Sequence, residues 1–472
     1  MKTRTEHDSL GNVEVPSNAY YGAQTARAVA NFPISGIHAH RYLIRAYGLL
    51  KQACAETNLE LGMIPQRKGQ AVVRAAKDVA EGILDEHFVV DVYQAGAGVS
   101  FHMNVNEVIA NRAIWHLQGH RMDRLGDYSI VHPNDHVNFG QSTNDTFPTA
   151  MRLASLLLLE DFYPALEELE EAFRNKGLEF DGILKSGRTH MQDAVPIRLG
   201  QEFTAYAVTL DNLSRHIRQN AGALAELGIG GSAVGTGLNA HPKYPRLVVK
   251  RLAGLTGLRL RVAPDLRAAM QSQFPLAAVS GALRNLALEL IRIGNDLRLL
   301  TSGPLTGFHE IVLPALQPGS SIMPGKVNPV MGELLDMVAF QVVGCDTAVA
   351  LAVQAGQLEL NVMMPAMIWN VLHATEILKN TCRVVAHRCI EGIRANREVC
   401  ERYAYLSPSI ATALNPVIGY ARAAEIVKKS LATGKTIPEV CLEDKVLSEE
   451  ELKKILDPHR MTQPGLPPRR KK

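Results

Sequence analysis

Apolar side chains at Leu276, Val279, Leu283, Leu286, Leu290, Ile293, Leu297 and Leu300 alternate in steps of three and four. That heptad pattern lays one apolar seam along a long helix, which Thr301-Ser302-Gly303-Pro304 should end. Ala277, Ala278, Ala282, Ala287 and Leu288 are apolar as well, which predicts a helix covered on more than one side, as in a bundle shared between subunits. Residues 151–178, 201–227, 333–353 and 367–393 read as further long helices. Strand-like alternation is scarce. The fold class is therefore mainly α, with a central long-helix bundle.

Turn-rich His132-Pro133-Asn134-Asp135 precedes a boundary near Gly140, and a second boundary follows the last long helix near Asn396. The pattern predicts three domains: 1–140 mixed but mostly helical, 141–396 the long-helix bundle, and 397–472 a small helical domain. In the last, Ser448 and Glu451 have capping-box spacing.

A chain of 472 residues is too long for one ordinary core, and a 46% hydrophobic composition supplies enough apolar surface for several. The formal charge of +3 is too small to argue for nucleic acid. Arg469-Arg470-Lys471-Lys472, after Pro464-Gly465-Leu466-Pro467-Pro468, reads as a disordered basic tail. The six cysteines lack CxxC spacing, which suggests reduced thiols in the cytoplasm and no zinc site. The first eight residues lack the apolar core of a signal peptide. No uninterrupted apolar run reaches the roughly 18 residues of a membrane span, so no membrane partner is expected.

The candidate chemistry is concentrated in Gly319-Ser320-Ser321-Ile322-Met323-Pro324-Gly325-Lys326-Val327-Asn328-Pro329. Gly and Pro make this a loop, and two hydroxyls, an ammonium and an amide suit it to hold an anion and handle a proton. Further polar blocks stand at Gly140-Gln141-Ser142-Thr143-Asn144-Asp145, Gly187-Arg188-Thr189-His190-Met191-Gln192-Asp193-Ala194 and Gly235-Thr236-Gly237-Leu238-Asn239. Ser142 also reads as a helix cap, since Ser-Thr-Asn before an apolar run is an N-terminus signature. His132 and His136 are spaced like a two-histidine metal site. The intervening Pro-Asn-Asp favours a structural turn, with an accessory anion site as the alternative.

These four blocks, in their order along the chain, resemble the aspartase/fumarase superfamily, and the similarity runs from about Pro16 to about Leu456. The resemblance implies a three-domain fold whose central helices join four subunits in one bundle, with active sites shared between subunits. It implies removal of a proton from the carbon beside a carboxylate and loss of a group from the next carbon, leaving fumarate. Such chemistry needs a base and many donors aimed at an accumulating negative charge, and needs no metal or other cofactor if donors are numerous. The loop 317–329 is then catalytic. Ser320 is the implied base and His190 the second catalytic residue. Ser142, Thr143, Asn144, Thr189, His190, Ser321, Lys326 and Asn328 are the implied substrate contacts, with Lys326 and Asn328 on the α-carboxylate. Glu333 would pair with His190, orienting and charging it.

Asp91-Val92-Tyr93-Gln94-Ala95-Gly96-Ala97-Gly98, Thr143, Ala19-Tyr20-Tyr21-Gly22-Ala23-Gln24-Thr25 and Ala355-Gly356-Gln357-Leu358-Glu359-Leu360-Asn361-Val362-Met363 resemble the aspartase branch. That branch implies reversible deamination of L-aspartate to fumarate and ammonia. The alternatives are a fumarate hydratase or a lyase for a modified C4 amino acid; a non-catalytic relative is opposed by intact Ser320, Lys326, Asn328 and His190. One stretch departs from the pattern. After Gly98 the branch commonly has Thr-Ser-x-Asn-Met-Asn, and this chain has Val99-Ser100-Phe101-His102-Met103-Asn104. Val99 lacks the hydroxyl that would meet the carboxylate on the carbon losing its proton. His102 replaces that donor if its ring reaches the site, and Val99 matters only if it does not face the core. Val99, Ser100 and His102 therefore stay open as site residues.

Overall fold

The computed structural model describes residues 2–466; the basic tail from Arg469 lies outside them. Seventeen α-helices and four two-stranded sheets are formed among the described residues. The helix Phe274–Leu300 buries all eight seam positions, none more than 7% exposed. Ala282 and Ala287 are buried too, but Leu288 is 49% exposed, so cover on that side is incomplete within one chain. The other predicted helices are Thr143–Glu179, Leu199–Ala221, Val330–Gln354 and Met364–Arg388. The first begins before position 151 despite Pro148, so the polar 140s block is itself the helix's first turn. Two helices, Phe274–Leu300 and Val330–Gln354, are long and apolar enough to cross a membrane, with mean hydropathy 1.3 and 1.6. Scattered charges such as Arg284, Glu289, Asp336 and Asp346 interrupt the run in the sequence without lowering this average much.

The chain divides into two compact units. Unit 1 comprises residues up to Pro164, Leu213–Leu288 and Val338–Asn380. Its helices Arg41–Glu60, Gln66–Glu81 and Val99–Leu117 pack together over a core that includes Tyr47, Leu50, Phe88, Phe101 and Val105. The first turn of Val99–Leu117 follows Gly98, whose φ is +88°, and a Cβ there would meet the Phe147 ring at 2.2 Å, so only glycine fits. The Ala19–Thr25 block is anchored by buried Glu107, which accepts from the amides of Gly22, Gln24 and Thr25 at 2.9–3.1 Å.

Unit 2 comprises Ala165–Asn212, Glu289–Met337 and Thr381 onward. Its hairpin pairs Leu184–Thr189 with Gln192–Arg198. Residues 410–456 include a core of Ile410, Leu414, Ile426, Val440, Leu452 and Ile455. Ser448 and Glu451 form the expected capping box. All six cysteines are free and buried.

Candidate functional site

In the loop at 317–329, the Gly319 amide donates to Lys326 O at 2.8 Å and Asn328 Nδ2 donates to Gly319 O at 2.7 Å. A Cβ on Gly319 would stand 2.6 Å from Lys326 O and 2.7 Å from Asn328 N, so this closure needs glycine. Inside it, the amides of Ile322 and Met323 donate to Ser320 Oγ at 3.2 and 2.8 Å. Two N–H dipoles aimed at one hydroxyl oxygen favour negative charge on it. Ser321 is exposed, as is Lys326. Lys326, Asn328, Glu333 and His309 line one cavity of about 840 Å³, at the start of the helix Val330–Gln354. Ser320 and Ser321 do not line it.

Thr189 and His190 are exposed at the hairpin tip. His190 and Met191 have φ of +55° and +62°, the two left-handed residues of a type I′ turn. Neither is Gly or Asn, so the tip carries backbone strain, which collects at functional sites. His190 lines a separate cavity of about 550 Å³ with Arg188, Tyr206, Arg292 and Asp296. The expected Glu333–His190 pair is therefore not made within one chain, because the two residues belong to different cavities.

Below this hairpin, Glu310 is fully buried and holds two cations that sequence reading did not single out as a pair. Arg188 Nη1 donates to Glu310 Oε1 at 2.8 Å, and Lys185 Nζ stands 3.0 Å from Oε2, too poorly aligned for a hydrogen bond there. Lys185 donates instead to Glu202 at 2.7 Å.

In unit 1 the block at 140–145 meets the segment 230–233, just before the block at 235–239. Asp145 is fully buried, accepting from Ser142 N at 2.9 Å and from Gly230 N and Ser232 N at 3.0 Å. Burial pushes its carboxyl up to about 6 against the pull of those amides. Ser142 Oγ accepts from Asn144 N at 3.2 Å, the cap expected of this segment. One N–H of Asn144 is engaged by Ala233 O at 2.8 Å.

Val99 is 42% exposed and Ser100 half-buried at the start of their helix, so Val99 does not face the core. His102 is 1% exposed, so its ring is engaged inside the protein. Three residues into the helix its side chain points inward, where it meets Thr143 Oγ1 at 2.7 Å and Lys51 Nζ at 2.8 Å. Lys51 was missed because it lies in the apolar stretch of Arg41–Glu60, where no spacing marks it.

His132 and His136 are bound into a turn. His132 Nδ1 accepts from Asn134 N and Asp135 N at 3.2 Å, and His136 Nδ1 accepts from His132 N at 2.8 Å.

Comparison with known proteins gives consistent matches. A family described as Lyase matches residues 11–344, and one described as Fumarase C C-terminus matches 410–463. Aspartate ammonia-lyase of Bacillus subtilis (strain 168) is 47% identical over 98% of this chain and 97% of its own length. Fumarate hydratase class II of Thermus aquaticus is also 47% identical, over 98% of this chain and 99% of its own. A solved structure of fumarate lyase:delta crystallin from Brucella melitensis, bound to cobalt, superposes with a TM-score of 0.94 at 47% identity, covering 98% of this chain and 100% of that one.

Proposed function

The chain belongs to the aspartase/fumarase superfamily of lyases, and we propose that it reversibly deaminates L-aspartate to fumarate and ammonia. The observation that carries this reading is the pair of amides, from Ile322 and Met323, on Ser320 Oγ. A serine is a poor base unless its alkoxide is stabilised, and these donors supply that. The Ser320 alkoxide takes the proton from Cβ. The electron pair passes into the β-carboxylate as an aci-carboxylate, returns to form the double bond, and the Cα–N bond breaks to release ammonia. Lys326 and Asn328 hold the α-carboxylate. Ser142, Thr143, Asn144, Thr189, His190 and Ser321 supply further contacts.

The choice of aspartate rests on the aspartase-like blocks, such as Asp91–Gly98 and Thr143. Fumarate hydration is the second reading, supported by the equal identity to the Thermus aquaticus enzyme. Purified protein given L-aspartate should accumulate fumarate by absorbance, and should add ammonia to fumarate in reverse. Interconversion of malate and fumarate with no action on aspartate would select the second reading.

We further propose a cytoplasmic homotetramer with sites completed between subunits, Glu333 reaching His190 from a neighbour. On Val330–Gln354 the exposed positions Met337, Phe340, Gly344, Thr347 and Leu351 repeat the three-four spacing, and Met337, Phe340 and Leu351 are 58–62% exposed. An apolar stripe of that spacing suits a helix–helix seam. Mixing the inactive variants Ser320→Ala and His190→Ala should restore partial activity through hybrid tetramers. An active monomer in light scattering would exclude the shared site.

Val99→Thr tests the departure from the family pattern. A hydrogen bond to a charged group is worth roughly 1.5–3 kcal/mol, so kcat/KM for aspartate should rise by about tenfold or more. If the melting temperature falls while kinetics stay unchanged, Val99 is not at the substrate.

A further inference from the structure

Lys51 is fully buried beside the Thr143 turn, and it has three polar neighbours: two amide oxygens, Gln141 Oε1 at 2.9 Å and Asn138 Oδ1 at 3.0 Å, which can only accept, and His102 Nε2 at 2.8 Å, which accepts or donates with the tautomer. The two amides cannot turn over freely. Asn138 Nδ2 donates to Gln141 O at 3.2 Å, and Gln141 Nε2 donates to Val137 O and Phe139 O at 3.2 and 3.3 Å. Their oxygens therefore face Lys51, which gives them two hydrogens. What remains at Nζ is either a third hydrogen or a lone pair, and it faces His102.

The imidazole, stacked on Tyr47, passes this difference on. A neutral imidazole has one donor and one acceptor nitrogen. With Lys51 as ammonium, Nε2 accepts, Nδ1–H donates to Thr143 Oγ1, and the Thr143 hydroxyl hydrogen is left to point elsewhere. With Lys51 as amine, Nε2–H donates to the lone pair, Nδ1 accepts, and the Thr143 hydrogen turns inward. Asn106, whose Nδ2 is 3.2 Å from Nε2 and whose Oδ1 has no partner, fits either tautomer by turning its amide over.

We propose that Lys51 and His102 are positioning residues: one proton on Lys51 decides whether Thr143 presents a hydrogen or a lone pair to a bound carboxylate. This rests on the reading, given above, that Thr143 contacts substrate. A chain with Val99 has one donor fewer at the same ligand, so it depends more on Thr143.

The charge state of Lys51 is open to change near neutrality. Burial pushes its ammonium down to about 7, against the pull of the Asp145 carboxylate. The groups around it are Tyr47 and Cys54 on its own helix, His102 on Val99–Leu117, Asp145 on Thr143–Glu179 and Tyr244 on Tyr244–Thr256. Burial raises Cys54 to about 12 and holds Tyr47 and Tyr244 well above the usual tyrosine range. It holds His102 well below the usual imidazole value, with Lys51 adding to the effect. Asp145, raised to about 6, is the anion in reach and governs the more acid limb. The donor form of Thr143 thus prevails below about 7 and is lost as pH rises.

Titration calorimetry with succinate, a dicarboxylate with no leaving group, tests this. In the wild type, affinity should fall about tenfold as pH rises through neutrality, the size of one charged hydrogen bond. Lys51→Met should remove that dependence. Thr143→Val, isosteric and with Lys51 intact, should also remove it and bind weakly throughout. If Thr143→Val keeps the wild-type dependence, Lys51 acts by charge through space and the relay is wrong. A flat wild-type profile would likewise overturn it while leaving the lyase reading in place. If Lys51→Met does not fold, Thr143→Val decides alone. Wild-type protein that neither binds succinate nor turns over aspartate at any pH would instead overturn the site reading beneath the proposal.

Discussion

Ser320→Ala should lower kcat by about 10²–10⁴-fold or more, the range associated with losing a positioned acid or base, while leaving the fold intact. The hydroxyl oxygen accepts two backbone amides and lies in a loop whose neighbours Ser321 to Val327 are exposed. Water can satisfy those amides once the oxygen is gone, so little stability is lost. The loop closure itself runs through Gly319, Lys326 and Asn328 and does not use Ser320 Oγ. Circular dichroism and melting should match the wild type, and KM should change less than kcat. Activity within about tenfold of wild type would remove Ser320 from the base role.

The sequence shows such a site only in part, and the reason is physical. A loop like 319–329 is legible because glycine, proline and polar groups must be contiguous to make it. The seam from Leu276 to Leu300 is legible because helix periodicity writes burial into local spacing. All eight of its positions are buried as expected. Leu288 is different: periodicity says that a side chain is apolar, but not whether its cover comes from the same chain.

Side-chain networks obey no such spacing. Lys51, His102 and Thr143 lie on three different helices, and only tertiary packing puts His102 within 3 Å of both the others. The one signal was the change from the family's Asn to His102, whose ring lies buried against Thr143 and Lys51. The start of the helix at Thr143 was legible, since Ser142 reads as its cap. Thr143 is therefore in the opening turn of Thr143–Glu179, next to His102.

Glu310→Ala should be the most damaging single change to stability in unit 2, costing about 3–5 kcal/mol. Glu310 is fully buried, and its removal leaves Arg188, only 15% exposed, without its carboxylate. Lys185 keeps Glu202 at 2.7 Å, but Arg188 retains only weaker attraction to the faces of Phe308 and Tyr403. Arg188 lies one residue before Thr189 in the hairpin, so the loss is transmitted to the strained tip carrying His190. Melting temperature should fall, amide exchange should quicken across Leu184–Arg198, and kcat/KM should drop with it. Adding Arg188→Met should recover part of the stability, because the cost lies in the unpaired buried charge more than in the missing attraction. It should not recover activity if the arginine is what aligns the tip. A melting temperature unchanged by Glu310→Ala would mean that water or rearrangement already compensates the cations, and that the hairpin is held by its strand pairing alone.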